Sequence, residues 1–132
     1  MTIDTGSLGE VVLTVTPSDT AARFGVEAGE TYPEVFATAC MIREMERAAA
    51  GLMRPLLGPG RLSVGVRVEV GHLAPTPVGG VVTTRARFTA REGKLYWFDV
   101  WAEDAGGTIG RGRHARAIVD EARLLAAADA RR

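Results

Sequence analysis

Polar and apolar residues alternate along most of the second half of the chain. In residues 61–73 the apolar side chains fall on even positions, from Leu62 to Val70, and the odd positions are mostly polar or charged. This period of two is that of a strand with one buried face. Segment 81–90 repeats the pattern, and 95–102 and 108–119 complete the set of strand-like segments, with short glycine-containing turns between them. With 10–16, a run rich in Val, Leu and Thr, the sequence predicts five strands.

A different pattern lies between the first two predicted strands. Segment 35–42, VFATACMI, carries no charge over eight residues, which is more than two helical turns. A helix that is apolar on every side is buried on every side. Pro33 and Glu34 suit the first turn of a helix, so we predict one long helix over 34–53. A polar connection over 17–32 precedes it, and 120–130 predicts a short terminal helix.

These elements predict a single α+β domain over residues 1–132, in which an antiparallel sheet wraps around one long central helix. A single curved sheet of this size leaves part of such a helix uncovered. We therefore expect a second copy of the chain to cover the remainder, giving a homodimer or, by further pairing, a tetramer.

Composition narrows the classes of function. The 132 residues are 46% hydrophobic with a formal net charge of zero, so nothing favours nucleic acid or a membrane surface as a partner. No apolar run approaches the roughly 18 residues of a membrane-spanning helix. The single cysteine, Cys40, excludes an internal disulfide. With no secretory signal at the start of the sequence, this predicts a cytoplasmic protein.

His72 is the first residue with candidate chemistry. It shares the parity of Val66, Val68 and Val70, so the strand pattern directs its side chain toward the helix. A buried neutral histidine and a working histidine in a site both fit this position. The only other histidine is His114, and with one cysteine the sequence predicts no metal site.

Two helix residues and two strand residues complete the candidates. Glu46 lies where the apolar stretch gives way to charge, and it is either a surface residue paired with Arg43 or part of a site. Thr38 is about 80° around the helix from Glu46, so both can line one groove wall. Gly65 interrupts a β-branched strand and marks either a bulge or the approach of a ligand. Arg116 lies in a run that is basic on both faces, where a solvated arginine is the default.

Taken together, these segments resemble a known family. YPEVFAT at 32–38, the strand that ends in His72 with APTPVGG after it, and GRGRHARAIV at 110–119 are similar to the fluoroacetyl-CoA thioesterase group of hot-dog-fold thioesterases. The resemblance covers about residues 32–119. It implies a hot-dog homodimer with its active sites at the subunit interface, an acyl-CoA substrate, and no metal or organic cofactor.

The resemblance also implies roles for the candidate residues. The family's Thr, Glu and His catalytic set falls on Thr38, Glu46 and His72. Glu46 would be the nucleophile or the general base, His72 the acid and base, and Thr38 an orienting group. The family's strand glycine beside the acyl group falls on Gly65, and its site arginine falls on Arg116.

The lid before the helix departs from the fluoroacetyl-specific members. Those enzymes carry two lid phenylalanines; here the nearer position is Tyr32, and the farther one falls on or near Gly29. Tyr32 and Phe36 are expected to contact the substrate. The resemblance therefore implies hydrolysis of a short or small acyl-CoA thioester and leaves the acyl group open.

Two other functions stay open on the sequence. A different hot-dog chemistry, hydration or dehydration of an acyl-CoA, needs an acid and base pair over the acyl chain. A non-catalytic acyl-CoA binding protein would use the same polar residues only for orientation. Binding of acyl-CoA without turnover would reveal the second of these.

Overall fold

Five strands and two helices make up the chain in the computed structural model, which describes residues 2–132. In chain order they are β1 (Leu8–Thr14), α1 (Thr38–Met53), β2 (Arg61–His72), β3 (Val81–Glu92), β4 (Leu95–Asp104), β5 (Gly107–Asp120) and α2 (Glu121–Asp129). Short 3-10 turns occupy Pro17–Asp19, Ala21–Phe24 and Arg54–Leu56.

The strands form one antiparallel sheet in the order β1-β3-β4-β5-β2. Helix α1 packs on its inner face, and the methionines Met41, Met45 and Met53 are buried there with Phe88 and Phe98 from the sheet. The predicted α+β fold, a sheet wrapped around one long helix, is confirmed.

The predicted start of the long helix is wrong. The helix begins at Thr38, because the backbone before it bonds to other segments. Phe36 N–H donates to the carbonyl of Thr76 at 2.8 Å, and Ala37 N–H donates to the carbonyl of Asp19 at 2.9 Å. Val35 and Phe36 therefore form β-bridges with Pro77 and Thr20, and Pro33 does not lie in a helical turn. These are long-range bonds, which a local pattern does not register.

Within a single chain α1 is not buried on every side, which agrees with the expectation that one curved sheet leaves part of the helix uncovered. The sheet covers one side of the helix. On the other side Thr38 and Ala39 are exposed and Ile42 is half-buried. This exposed side lies beside β2, the strand at one edge of the sheet.

A β-bulge at Val66 divides β2 into two halves. Gly65 lies opposite Arg116 of β5 and Arg67 lies opposite Ala115, so Val66 is an extra residue. Side chains alternate along a strand, so one extra residue changes which positions face the helix: odd-numbered residues before the bulge and even-numbered residues after it.

The bulge corrects the prediction for the first half of β2. Leu62 and Val64, which the alternation places on the helix side, point to the outer face, and Leu62 is 41% exposed. Ser63 and Gly65 face the helix instead. His72 lies beyond the bulge and faces the helix as predicted.

A buried ionic cluster ties the preceding connection to α1. Glu44 is fully buried, and its carboxylate accepts from Arg43 Nε at 2.8 Å and from Arg47 at 2.7 Å. Arg43 also donates to Asp19 at 3.1 Å. Burial tends to raise the pKa of Asp19, but hydrogen bonds from Thr16 and Arg43 outweigh it and lower that pKa. The arginines and carboxylates of the cluster therefore stabilise one another in their charged forms, and the cluster holds the connection against the helix.

The edge position of β2 leaves one row of its backbone groups without a strand partner among residues 2–132. Val66 and Val68 on this strand are 49% and 41% exposed. We define the open face as the β2 edge together with the exposed side of α1. No helix within residues 2–132 is long and apolar enough to cross a membrane.

Two glycines test how closely the elements pack. A Cβ on Gly9 of β1 would collide with the backbone carbonyl of Ala48 in α1, whereas a Cβ on Gly51 meets nothing within 4 Å. We expect Gly9→Ala to lower the free energy of unfolding by about 1–3 kcal/mol. Gly51→Ala, inside a helix, should raise it by about 0.5–1 kcal/mol. Urea unfolding of both variants checks this, and equal effects would contradict it.

Candidate active site

Thr38 and His72 meet at one end of the open face. Thr38 Oγ1 and His72 Nδ1 are 2.7 Å apart, within hydrogen-bond distance. Thr38 is the first residue of α1, so the N–H groups of Thr38, Ala39 and Cys40 have no acceptor within the helix. His72 Nε2 is buried and has no hydrogen-bond partner among residues 2–132. We call Thr38 and His72 the His72 half-site.

The His72 half-site borders a cavity of about 310 Å³. The wall includes Phe36, which is buried, and Leu73, which is 58% exposed. Tyr32 is 44% exposed and is not in the wall of this cavity. Of the two residues expected to contact substrate before the helix, Phe36 therefore lies beside Thr38 and His72, and Tyr32 does not.

Arg116 is the centre of a second cluster. Its side chain is buried and makes four hydrogen bonds, which fix the guanidinium in the sheet. It donates to Ser63 Oγ at 3.0 Å, to the Ser63 carbonyl at 2.9 Å, to His114 Nε2 at 3.2 Å and to Glu46 Oε1 at 3.2 Å. Burial lowers the pKa of Arg116, and Glu46 opposes that shift. Arginine nevertheless stays protonated in proteins, so the cluster carries a buried positive charge.

Glu46 and Gly65 lie directly against each other in this cluster. A Cβ on Gly65 would collide with Glu46 Oε1, so only glycine leaves room for the carboxylate. The Glu46 side chain is 40% exposed and reaches the open face. The predicted bulge adjoins Gly65, and the missing side chain leaves room for Glu46, while the approach of a ligand to Gly65 stays a prediction. We call Glu46, Gly65 and Arg116 the Glu46 half-site.

His114 supports Arg116 from behind. Its Nδ1 lies 2.8 Å from the carbonyl of Arg67, so Nδ1 must carry the proton and donate. Nε2 is then the acceptor for Arg116. Burial lowers the pKa of His114 below its ordinary value of 6.5, and the positive charge of Arg116 lowers it further. His114 is therefore neutral at pH 7 and positions the guanidinium.

The two half-sites are not in contact within one chain. Thr38 and Glu46 are eight residues apart on α1, which is about 12 Å along the helix axis. The structure brings Thr38 to His72, and it brings Glu46 to Gly65 and Arg116. It brings no member of one half-site to a member of the other.

The sequence analysis did not identify two residues that hold Arg116 in place, Ser63 and His114. The signal for His114 was its parity with Arg116, which puts both on one strand face. Ser63 had no such signal, since the bulge reverses its direction. No group of three or more His, Cys, Asp or Glu side chains within residues 2–132 is arranged to hold a metal ion.

Comparison with known proteins gives consistent matches. A family model described as FlK, fluoroacetyl-CoA-specific thioesterase, matches residues 15–122. The fluoroacetyl-CoA thioesterase of Streptantibioticus cattleyicolor is 42% identical over 88 residues, 67% of this chain. The matched region spans 63% of that relative's length.

Solved structures extend the similarity to the whole fold. A structure of the fluoroacetyl-CoA thioesterase FlK is 33% identical, covers 100% of this chain and 99% of its own, and has a TM-score of 0.94. A thioesterase superfamily member from Thermus thermophilus is 31% identical, covering 95% and 90%, with a TM-score of 0.85. A hot-dog-like protein from Thermanaerovibrio acidaminovorans is 29% identical, covering 98% and 93%, also at 0.85. The predicted hot-dog fold is therefore confirmed.

The lowered pKa of His114 makes stability depend on pH. As pH falls from 7.5 to 5.5, the unfolded chain takes up a proton on this histidine at about its ordinary pKa of 6.5, and the folded chain resists it. We expect the free energy of unfolding to fall by roughly 1 kcal/mol over this range from His114 alone. In His114→Asn that part of the decrease should vanish. Urea unfolding at both pH values measures it, and an unchanged pH dependence in the variant would refute the assignment.

Proposed function

The chain belongs to the fluoroacetyl-CoA-specific thioesterase family, and on that premise we propose that it hydrolyses acyl-CoA thioesters to a free acid and CoA. The observation that supports the proposal is the presence of two polar half-sites on one open face, where Thr38 contacts His72 and Glu46 contacts Arg116. The cavity of about 310 Å³ beside His72 favours a short or small acyl group.

The chemistry needs a nucleophile and a donor for the oxyanion. Because thiolate is a good leaving group, the step that needs most catalysis is the attack at the carbonyl. In the proposed reaction the Glu46 carboxylate, held by Arg116, either attacks the carbonyl itself or removes a proton from a water molecule that attacks it. As the C–S bond breaks, His72, oriented by Thr38, gives a proton to the departing sulfur. After direct attack, water hydrolyses the acyl–Glu46 anhydride, which releases the acid and regenerates the carboxylate. The proton taken from water returns to His72. The free N–H groups at the start of α1 are candidate donors to the oxyanion. This scheme uses no metal or organic cofactor.

One chain supplies only separated halves of this site. A reacting carbonyl at His72 is too far from Glu46 of the same chain, since about 12 Å of helix lies between Thr38 and Glu46. We propose that two copies form a homodimer in which the His72 half-site of one meets the Glu46 half-site of the other. A two-fold interface is self-complementary, so this pairing creates two complete sites.

The open edge of β2 supports this arrangement. Antiparallel pairing of two β2 edges sets the His72 end of one strand beside the Gly65 end of the other. It would also pair the free backbone groups of the edge and cover Val66 and Val68. The buried Nε2 of His72 is a further feature of a group that gains a partner from substrate or from assembly.

Removal of the Glu46 carboxylate tests the reaction. Glu46→Gln keeps the size of the side chain and should lower kcat by roughly 10² or more without loss of the fold. Thiol release from a panel of acyl-CoAs, from acetyl and fluoroacetyl to medium-chain and aromatic, measures the rate. Glu10→Gln, which removes an exposed carboxylate paired with Arg85 at the opposite edge of the sheet, is the control and should keep the wild-type rate. Wild-type turnover in Glu46→Gln would remove Glu46 from the mechanism.

Complementation tests the composite site. His72→Ala and Glu46→Gln should each be inactive alone. Mixed at equal amounts and allowed to exchange subunits, they should recover about one quarter of wild-type activity, because half the dimers are mixed and each of these has one intact site. No recovery, with subunit exchange shown by mass spectrometry of labelled chains, would mean that both half-sites of one chain act together.

A further inference from the structure

His114 is a buried histidine to which the proposed reaction gives no step. The residue is 1% exposed, and its ring lies on the inner face of β5, beside Arg116. Both ring nitrogens have a partner, since Nδ1 lies 2.8 Å from the carbonyl of Arg67 and Nε2 lies 3.2 Å from Arg116 Nη1. A buried ring that is bound at both nitrogens cannot turn without leaving a polar group unpaired. Its orientation is therefore fixed.

One nitrogen of Arg116 connects this ring to Glu46. Arg116 Nη1 lies 3.2 Å from His114 Nε2 and 3.2 Å from Glu46 Oε1. A guanidinium Nη carries two protons, so Nη1 donates to both acceptors at once. The contacts form a continuous chain from the Arg67 carbonyl through His114 and Arg116 to the Glu46 carboxylate. The position of the carboxylate therefore depends on a ring that does not touch it through a hydrogen bond.

The ring also packs beneath the glycine that leaves room for Glu46. A Cβ on Gly65 would lie 3.2 Å from His114 Cε1 and would collide with Glu46 Oε1. The charged side chains that act on the ring are Arg116 from β5 and Glu46 from α1. Strands β2 and β4 contribute Gly65 and the fully buried Phe98, which is the register partner of His114. The charge on the ring is thus coupled to the Glu46 half-site.

We infer that His114 is a positioning residue for thioester hydrolysis and that the reaction requires its neutral ring, an inference that rests on the proposed function. The neutral ring presents a lone pair at Nε2 to Arg116, and Arg116 in turn holds Glu46 beside Gly65. A proton on Nε2 removes this acceptor and places a second positive charge 3.2 Å from the guanidinium. The two cations repel, and Arg116 no longer holds the carboxylate in place.

The surroundings keep the ring neutral over most of the useful pH range. Burial lowers the pKa of His114 below 6.5, and the charge of Arg116 lowers it further, while the Arg67 carbonyl and Glu46 oppose these effects. The ring is therefore in its working form at neutral pH. Activity that depends on it is lost only as pH falls through the pKa of the folded protein.

Two substitutions separate the hydrogen bonds of His114 from its volume. In His114→Phe a ring of similar size remains and both hydrogen bonds are lost. In His114→Gln one amide offers an N–H to the Arg67 carbonyl and an oxygen to Arg116, and it does not titrate. With the acyl-CoA that the wild type hydrolyses fastest, kcat of His114→Phe should fall about 10- to 100-fold, with KM changed less than about threefold. His114→Gln should retain about a third or more of the wild-type kcat.

The dependence on pH separates a positioning role from simple packing. The pKa of His114 in the folded wild type is first measured from its ring resonances by NMR. As pH falls through this value, the ratio of kcat in His114→Gln to kcat in the wild type should rise, because only the wild type gains the inhibiting proton. A ratio that stays constant through the measured pKa would overturn the requirement for a neutral ring.

Val82→Ala is the matched control for loss of stability. Val82 is fully buried in β3, a strand that pairs with β1 and β4 and carries no residue of either half-site. This variant should be less stable than the wild type and should keep its kcat. All rates are taken where urea unfolding shows every variant to be folded. A wild-type kcat in His114→Phe, or an equal loss in His114→Phe and His114→Gln, would overturn the inference.

Failure of the proposed function is separable from failure of the inference. If the wild type hydrolyses no thioester of the panel, the side-chain carboxyl carbon of Glu46 is followed by NMR at pH 7.5. Its resonance should move in His114→Phe and stay near the wild-type position in His114→Gln and Val82→Ala. An unmoved resonance in His114→Phe would show that His114 does not position Glu46.

Discussion

Two residues of strand β2, Gly65 before the bulge and His72 after it, both face helix α1, and the extra residue at Val66 makes this possible. Without it, Gly65 and His72 would lie on opposite faces of the sheet, because side chains alternate strictly along a strand. With it, Gly65 faces Glu46 and His72 faces Thr38 on the same helix. The bulge is therefore the constraint on which both half-sites depend.

A second constraint is the limited coverage of α1 by the sheet. The covered side carries the core methionines, and Glu44 at its margin is neutralised by two arginines of the same helix. The uncovered side carries Thr38, Ile42 and Glu46. One side of the helix thus packs in the core, and the other carries the polar residues of the candidate site, which lie where the core ends.

The sequence predicted the fold because strands and helices leave local patterns, and the five predicted segments match the five strands to within about two residues at each end. It did not predict the start of α1, because bonds from Phe36 and Ala37 to distant carbonyls fix that boundary. For the site, spacing and family resemblance pointed to Thr38, Glu46 and His72. They did not indicate that Glu46 lies apart from the other two, since that separation depends on three-dimensional placement along the helix.

The role of His114 shows the same limit. In sequence it is one histidine in a basic run, and only its packing shows a neutral ring that accepts from Arg116. The direction of a hydrogen bond here depends on the carbonyl of Arg67, from a strand that is distant in sequence. A carbonyl accepts only, so this contact fixes the tautomer, which residue spacing does not encode.

The exposed edge of β2 has a consequence for the fate of newly made chains. A free edge with half-exposed valines is a template for uncontrolled strand addition, and hence for aggregation, until another strand covers it. Arg67 and Glu69 form an ion pair on the outer face of the same strand, and this places charges next to the half-exposed valines. Charged residues next to an apolar strand act as gatekeepers. Strand β2, which carries Gly65 and His72, is thus also the segment where aggregation competes with correct pairing. Substitutions in this strand are therefore restricted both by the candidate site and by the need to avoid aggregation.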